Sequence, residues 1–274
     1  MTVLLQRIKG IGRSIALMLL FVFCWFSLPY TSMYKTSVYK WADIKGGVLA
    51  GPLADRLDQF PSWKSRPPLK PAQGNLQYPD WFQGEWQVTS TLTALEAPLS
   101  PEIVTPGFAD QERYLEQPVV FDVRFGSEDT SDAAIVADQA YNSRSLITAY
   151  LGDGSVQNVT VDPKDPTRQV TRLRGDRKLT SVISDRATES STAEFITSEL
   201  FQQIFSSASQ IYVNQVENTT DYRLTSIEKP QIEADQVTAI YLSPQDPQYF
   251  KAGNRPVALY RYHLILTLNE HLVD

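Results

Sequence analysis

With 274 residues, one cysteine and two histidines, the chain has room for a core domain of about 190 residues behind an N-terminal extension. It has too few ligands for a disulfide framework, a Cys-based zinc site or a His-built catalytic centre. The net charge of −6 is split unevenly: residues 1–78 carry ten Lys and Arg against three Asp and Glu, and residues 79–274 carry fifteen against twenty-eight. So acidic a domain repels phosphate backbones, which excludes nucleic acid as a partner.

The chain opens with Arg7, Lys9 and Arg13 and no acid, followed by an apolar run from Ser14 to Leu28 and then Pro29. A basic start before a greasy core is the grammar of an export signal. No pair of small residues stands at the spacing a signal peptidase needs, and Phe23 before Cys24 is too large for a lipid-modified cysteine box. Residues 1–29 are therefore expected to stay as a membrane anchor. Fifteen helical residues span only ~22 Å, so local thinning and Trp25 and Tyr30 at the interface would absorb the mismatch.

Residues 30–77 read as a Pro-rich tether. Pro52, Pro61, Pro67, Pro68 and Pro71 break any long helix. Leu49, Leu53, Leu57 and Phe60 recur at helical spacing, which allows one short amphipathic helix between Pro52 and Pro61. It would lie on a membrane surface, against the following domain, or as a collapsed loop.

The domain proper is expected over 78–274, and its strands alternate. Trp86, Val88, Leu92 and Ala94 share one parity, with Gln87, Thr89, Thr91 and Thr93 on the other. Val119, Phe121, Val123 and Phe125 repeat the pattern before Gly126. The long connection from Ala97 to Gln117 is either a lid over an open barrel end or a plain insertion. A helix is expected in the second half of 132–151, stopped by Gly152. Strands follow at 155–161, 168–174, 177–186, 195–205, 210–217, 221–227, 236–242 and 255–268, with Phe201 to Phe205 also readable as helix. Short strands without a βαβ rhythm imply an antiparallel barrel or sandwich.

Gly84-Glu85-Trp86 after a short turn resembles the signature of lipocalin and calycin barrels. That resemblance implies a Trp closing one barrel end with a late-strand Arg packed on it, here Arg261. Alternation in the last strand points Tyr260, Tyr262, Leu264, Leu266 and Leu268 inward and Arg261 outward, so the two readings of Arg261 conflict. Arg168, Arg172, Arg174, Arg177, Lys178 and Arg186 form the basic cluster of the acidic domain, either a grip for a carboxylate or phosphate or ordinary surface charge. No Ser/His/acid arrangement, paired-carboxylate motif or phosphate loop is present, and the chain is expected not to be an enzyme; no cofactor is indicated.

Trp81-Phe82-x-Gly84-x-Trp86, Ile135-Val136-Ala137-Asp138 with Asn142-Ser143-Arg144-Ser145-Leu146, and Val237 to Pro244 resemble an uncharacterised family of cyanobacteria and plant plastids. The resemblance implies a place on the lumenal side of the thylakoid membrane and no assigned catalytic residue. The expected function is a membrane-tethered, lipocalin-like barrel that binds a lipophilic small molecule, such as a pigment, lipid or quinone. Trp86, Val88, Phe121, Val123, Phe125 and Arg261 would line the ligand site. The alternative is an assembly or stability factor that binds a photosystem or another thylakoid membrane complex through protein contacts.

Overall fold

The computed structural model describes residues 51–103, 105, 107–127, 134–226 and 230–269. The expected anchor at 1–29 lies outside the described residues. Among the described residues no helix is long and apolar enough to cross a membrane.

Among the described residues twelve antiparallel strands form one sheet. They are β1 (Lys70–Pro71), β2 (Gln77–Tyr78), β3 (Gly84–Glu96), β4 (Pro118–Ser127), β5 (Ile135–Ala137) and β6 (Val156–Asp162), then β7 (Asp165–Leu173), β8 (Arg177–Ser190), β9 (Glu194–Ser206), β10 (Ile211–Ser226), β11 (Gln231–Leu242) and β12 (Ala258–Leu268). The order across the sheet is β2-β5-β4-β3-β12-β11-β10-β9-β8-β7-β6, with β1 added beside β8. The first long strand and the last come together in space, since β3 pairs with β12.

The sheet curls into a half-barrel whose strand ladder does not close on itself. Helix α2 (Gln139–Leu151) lies in the seam. Its Ser145 hydroxyl accepts from the Asp122 N–H at 3.0 Å and its Asn142 amide oxygen from the Arg124 N–H at 2.7 Å. These are the donors that β4 leaves unpaired beyond the short β5. On the far side Ile147 and Leu151 pack on Val156, Val159 and Leu173 of β6 and β7. Asp138 caps the helix start by accepting from the Tyr141 N–H, and Gly152 ends it with φ +80°.

The interior holds two apolar clusters. At one end Trp86, Val88, Phe82, Phe125, Ile232 and Leu266 interlock, with Phe121 and Val123 against them. Trp86 is 1% exposed, and its indole N–H donates to the Phe82 carbonyl at 2.7 Å. The Gly84 of the Gly-x-Trp run has φ +125°, and a Cβ there would stand 2.8 Å from a Leu268 methyl. Only glycine fits both demands. At the other end Leu92, Val216, Ile240, Leu242, Tyr260 and Tyr262 pack together. The 97–117 connection folds onto this end: Leu99 and Ile103 join the cluster, and the Thr105 hydroxyl donates to the Val257 carbonyl at 3.1 Å.

Two sequence expectations change here, and one left open is decided. A register shift where β3 meets β12 puts Leu95 opposite Tyr260, so Ala94 turns to the outer face opposite Arg261. The two strands expected at 210–217 and 221–227 are one, because β9 and β11 pair with β10 continuously through Asn218-Thr219-Thr220 and override the local turn preference of Asn. Phe201 to Phe205 is strand, held in β9 by the same ladders.

The tether is also not free. From residue 51 it is a strap across the outer face of the sheet. Helix α1 (Pro52–Asp58) takes the position the apolar spacing indicated, against the barrel. Trp63, with Leu57 and Phe60, covers Val237, Ala239, Tyr241 and Leu259. Arg56 donates to both carboxylate oxygens of the fully buried Glu217, at 2.5 and 2.8 Å, and to the Tyr241 hydroxyl at 3.0 Å. The Arg56 guanidinium lies 3.8 Å from the centre of the Trp63 ring.

Candidate functional site

Between the two apolar clusters the inward residues are polar. β10 contributes Asn218 and Thr220, β9 Thr197 and Glu199, and β11 Gln236 and Thr238, each facing its neighbour across the ladder. The Thr238 hydroxyl donates to the Asn218 amide oxygen at 2.8 Å, and the Thr220 hydroxyl to Gln236 at 3.3 Å. This belt opens, toward α2, into a cavity of about 370 Å³. The size falls within the range of small-molecule sites.

The lining mixes apolar side chains, Leu76, Leu146, Ile147, Leu179, Ile183 and Phe201, with the polar Gln169, Ser181, Arg186, Glu199, Gln203 and Asn218. The Arg186 Nε donates to Glu199 Oε1 at 2.7 Å, and its Nη1 reaches the Gly74 carbonyl at 3.3 Å. Burial pushes the Glu199 carboxyl above its ordinary range, and the Arg186 charge and hydrogen bond oppose the shift. Tyr78, at the edge of the cavity, is raised well above its ordinary value by burial first, then by Tyr222 and Glu199. Burial also pushes Tyr222 up to about 12.

Arg186 reaches the interior because β8 is irregular. The pairing with β9 shifts between Ile183 and Asp185. Simple alternation from Leu179, Ser181 and Ile183 would have sent Asp185 inward; the extra residue sends Arg186 instead. The other members of the basic cluster do not converge. Arg168, Arg172 and Arg174 are exposed, and the Arg177 Nε donates to the Arg174 carbonyl at 2.9 Å.

Of the residues expected to line a ligand site, Trp86, Val88, Phe121, Val123 and Phe125 do come together, as side chains packed on one another. They do not border the cavity. Trp86 borders a second recess of about 500 Å³ with Trp81, Leu224, Pro230 and Leu268, next to residues outside the described set. Arg261 is on the outer face of β12, 5.7 Å from the centre of the Phe60 ring and 3.8 Å from an Asp235 oxygen. The expected contact between Arg261 and Trp86 is therefore replaced by a contact with the strap, as alternation in β12 requires.

Glu199, Gln203, Asn218 and Arg186 were not singled out in the sequence as cavity residues. A signal existed for two: Glu199 and Gln203 share parity with Phe195, Phe201 and Phe205, a charge and an amide between aromatic residues. Among the described residues no three His, Cys, Asp or Glu side chains stand together in a way that could hold a metal ion.

Residues 70–270 match the family described as a domain of unknown function, DUF6816. The chain belongs to that family. No curated protein and no solved structure matches it. The DUF6816 match begins at β1 and runs through β12, so it takes in the sheet, α2 and the cavity. The strap of residues 51–69 precedes it.

Proposed function

We propose that this chain is a non-enzymatic binding protein that holds a small amphipathic molecule in the cavity beside α2. In this reading residues 1–29 tether it to a membrane, on the lumenal side of the thylakoid. The observation that carries the proposal is the mixed lining: apolar side chains from α2, β8 and β9 stand among hydrogen-bonding groups from β7 to β10. The apolar wall first expected around Trp86 is a packed core. The ligand's apolar part therefore belongs against Leu179, Ile183 and Phe201.

The test is purification of the full chain from its native membrane, with mass spectrometry of what co-purifies. A small molecule at near-stoichiometric ratio, lost in a Ser181→Trp variant that fills the cavity, is the expected result. Recovery of nothing small from a well-folded protein would overturn the reading.

The second reading, an assembly factor for a photosynthetic membrane complex, has one observation in its favour. Phe250 is 90% exposed and Ile211 is 74% exposed, both at the end of the sheet where β10 begins and β11 finishes. Stoichiometric protein subunits in the same purification, released by Phe250→Ser, would support it over the first.

A further inference from the structure

The end of the sheet where β10 begins and β11 finishes is charged unlike the rest of the domain. Arg172 of β7 pairs with Lys178 of β8, Lys178 with Ser206 of β9, and Ser206 with Ile211 of β10. Residues paired across a ladder share a face, so the two cations and Ile211 form one outer row. Leu242 at the end of β11 pairs with Asn214, which brings the β11–β12 connection and its short helix, Tyr249–Ala252, to the same end. Residues 172–178, 207–211 and 243–257 hold six Lys and Arg against Asp176 and Asp246, where residues 79–274 as a whole hold fifteen against twenty-eight Asp and Glu. Two more acids approach from neighbouring turns. The Glu102 carbonyl accepts from Lys251 Nζ at 3.4 Å, and Asp153 adjoins Gly154, over which the Arg174 guanidinium lies.

These cations differ from the others in pairing. Arg56, Arg124, Arg186, Arg223 and Arg261 each meet a carboxylate. Among the described residues Arg172, Arg174, Lys178, Lys251 and Arg255 meet none, and all five are exposed. Ile211 and Phe250, the two most exposed large apolar side chains, stand out at this end.

We propose that this end of the barrel docks on an anionic lipid surface, with Phe250 and Ile211 entering the headgroup layer and the unpaired cations facing lipid phosphates. The charge is complementary, and such a surface attracts each nearby Lys or Arg. A protein-docking patch presents contiguous apolar area, whereas the sequence neighbours of Ile211 and Phe250 include Ser209, Gln210, Gln248 and Lys251. Lone apolar side chains among cations suit a headgroup layer, where the long basic side chains reach the phosphates. The inference does not depend on what the cavity holds.

The test uses the full chain with Cys24→Ser, a nitroxide on Phe250→Cys or Ile211→Cys, and vesicles of phosphatidylcholine with or without phosphatidylglycerol. With phosphatidylglycerol both labels are expected to become accessible to dissolved oxygen and shielded from an aqueous nickel chelate, and added salt should reverse this. A label on Val120→Cys, exposed on β4, should stay in water throughout. Arg172→Gln and Lys178→Gln should each lower the ratio of docked to undocked label about fivefold, with thermal unfolding unchanged. Labels at 250 and 211 that remain in water on the anionic vesicles overturn the proposal, as does burial that ignores lipid charge. Shielding that appears only with a co-purified protein also overturns it and gives this end to the assembly-factor reading.

Discussion

Glu217 is fully buried on the outer face of β10 and is met through both oxygens by Arg56, by the Tyr241 hydroxyl at 2.7 Å and by the Thr219 hydroxyl at 2.9 Å. A pair this well satisfied contributes little net, yet removing one partner strands a charge. Arg56→Met is therefore expected to destabilise the chain by about 3–5 kcal/mol in urea unfolding. The double variant Arg56→Met, Glu217→Leu should recover much of that loss. A second outer cluster makes stability depend on pH. Asp221 is buried opposite Asp235, near Arg223, Glu194, Glu233, Arg261 and His263, and burial raises its carboxyl from 3.8 to about 6, with Arg223 opposing. The folded state thus binds this proton more tightly than the unfolded state, so the group's penalty is full above pH 6 and is relieved as pH falls toward 4. The His263 imidazole is raised by its hydrogen bond to Asp235, so its contribution is also present at low pH and lost as pH rises through its folded value. Unfolding free energy is expected to be higher at pH 5 than at pH 8, and Asp221→Asn should gain about 2–3 kcal/mol at pH 8 with a flatter profile.

Among the elements, β3, β4, α2 and β12 were legible in sequence because each shows its own period: alternation in the strands, and in the helix a Gly stop after an apolar-rich turn. The two-residue strands β1 and β2 and the three-residue β5 carry too few positions for any period and exist because a neighbour pairs with them: β8 with β1, β4 with β5, and β5 in turn with β2. The Gly-x-Trp turn was legible as a motif, and its physical basis came with the coordinates. Gly84→Ala is expected to cost about 2–3 kcal/mol in thermal or urea unfolding, from the positive φ and the 2.8 Å approach of Leu268 together. Gly152→Ala, at φ +80° but with open space around a new Cβ, should cost less, about 1 kcal/mol.

At the scale of the whole molecule, the strap carries the folded unit beyond the residues that the family match covers. Proline-rich sequence reads as a linker because prolines deny it helices and ladders, yet Trp63 is buried among Val237, Ala239, Tyr241 and Leu259. A chain shortened to start at Lys70, the first matched residue of the family, would expose these four and lose the Arg56 partner of Glu217. Its melting temperature is expected to fall by roughly 10 °C relative to a chain starting at Gly51.

The sequence by itself determined the class of fold, the burial of Trp86 and the helix before Gly152, since each follows from local periodicity or local backbone demand; the conflict over Arg261 was settled only by the sheet, which puts it on the outer face. Tertiary structure decided the site. One extra residue in β8 turned Arg186 inward to Glu199, and the registers of β10 with β9 and with β11 set Asn218 beside Glu199 and Thr238. Alternation along a single strand tells which residues share a face, but a bulge resets that parity, and the neighbour across the ladder is chosen by the register of the whole sheet.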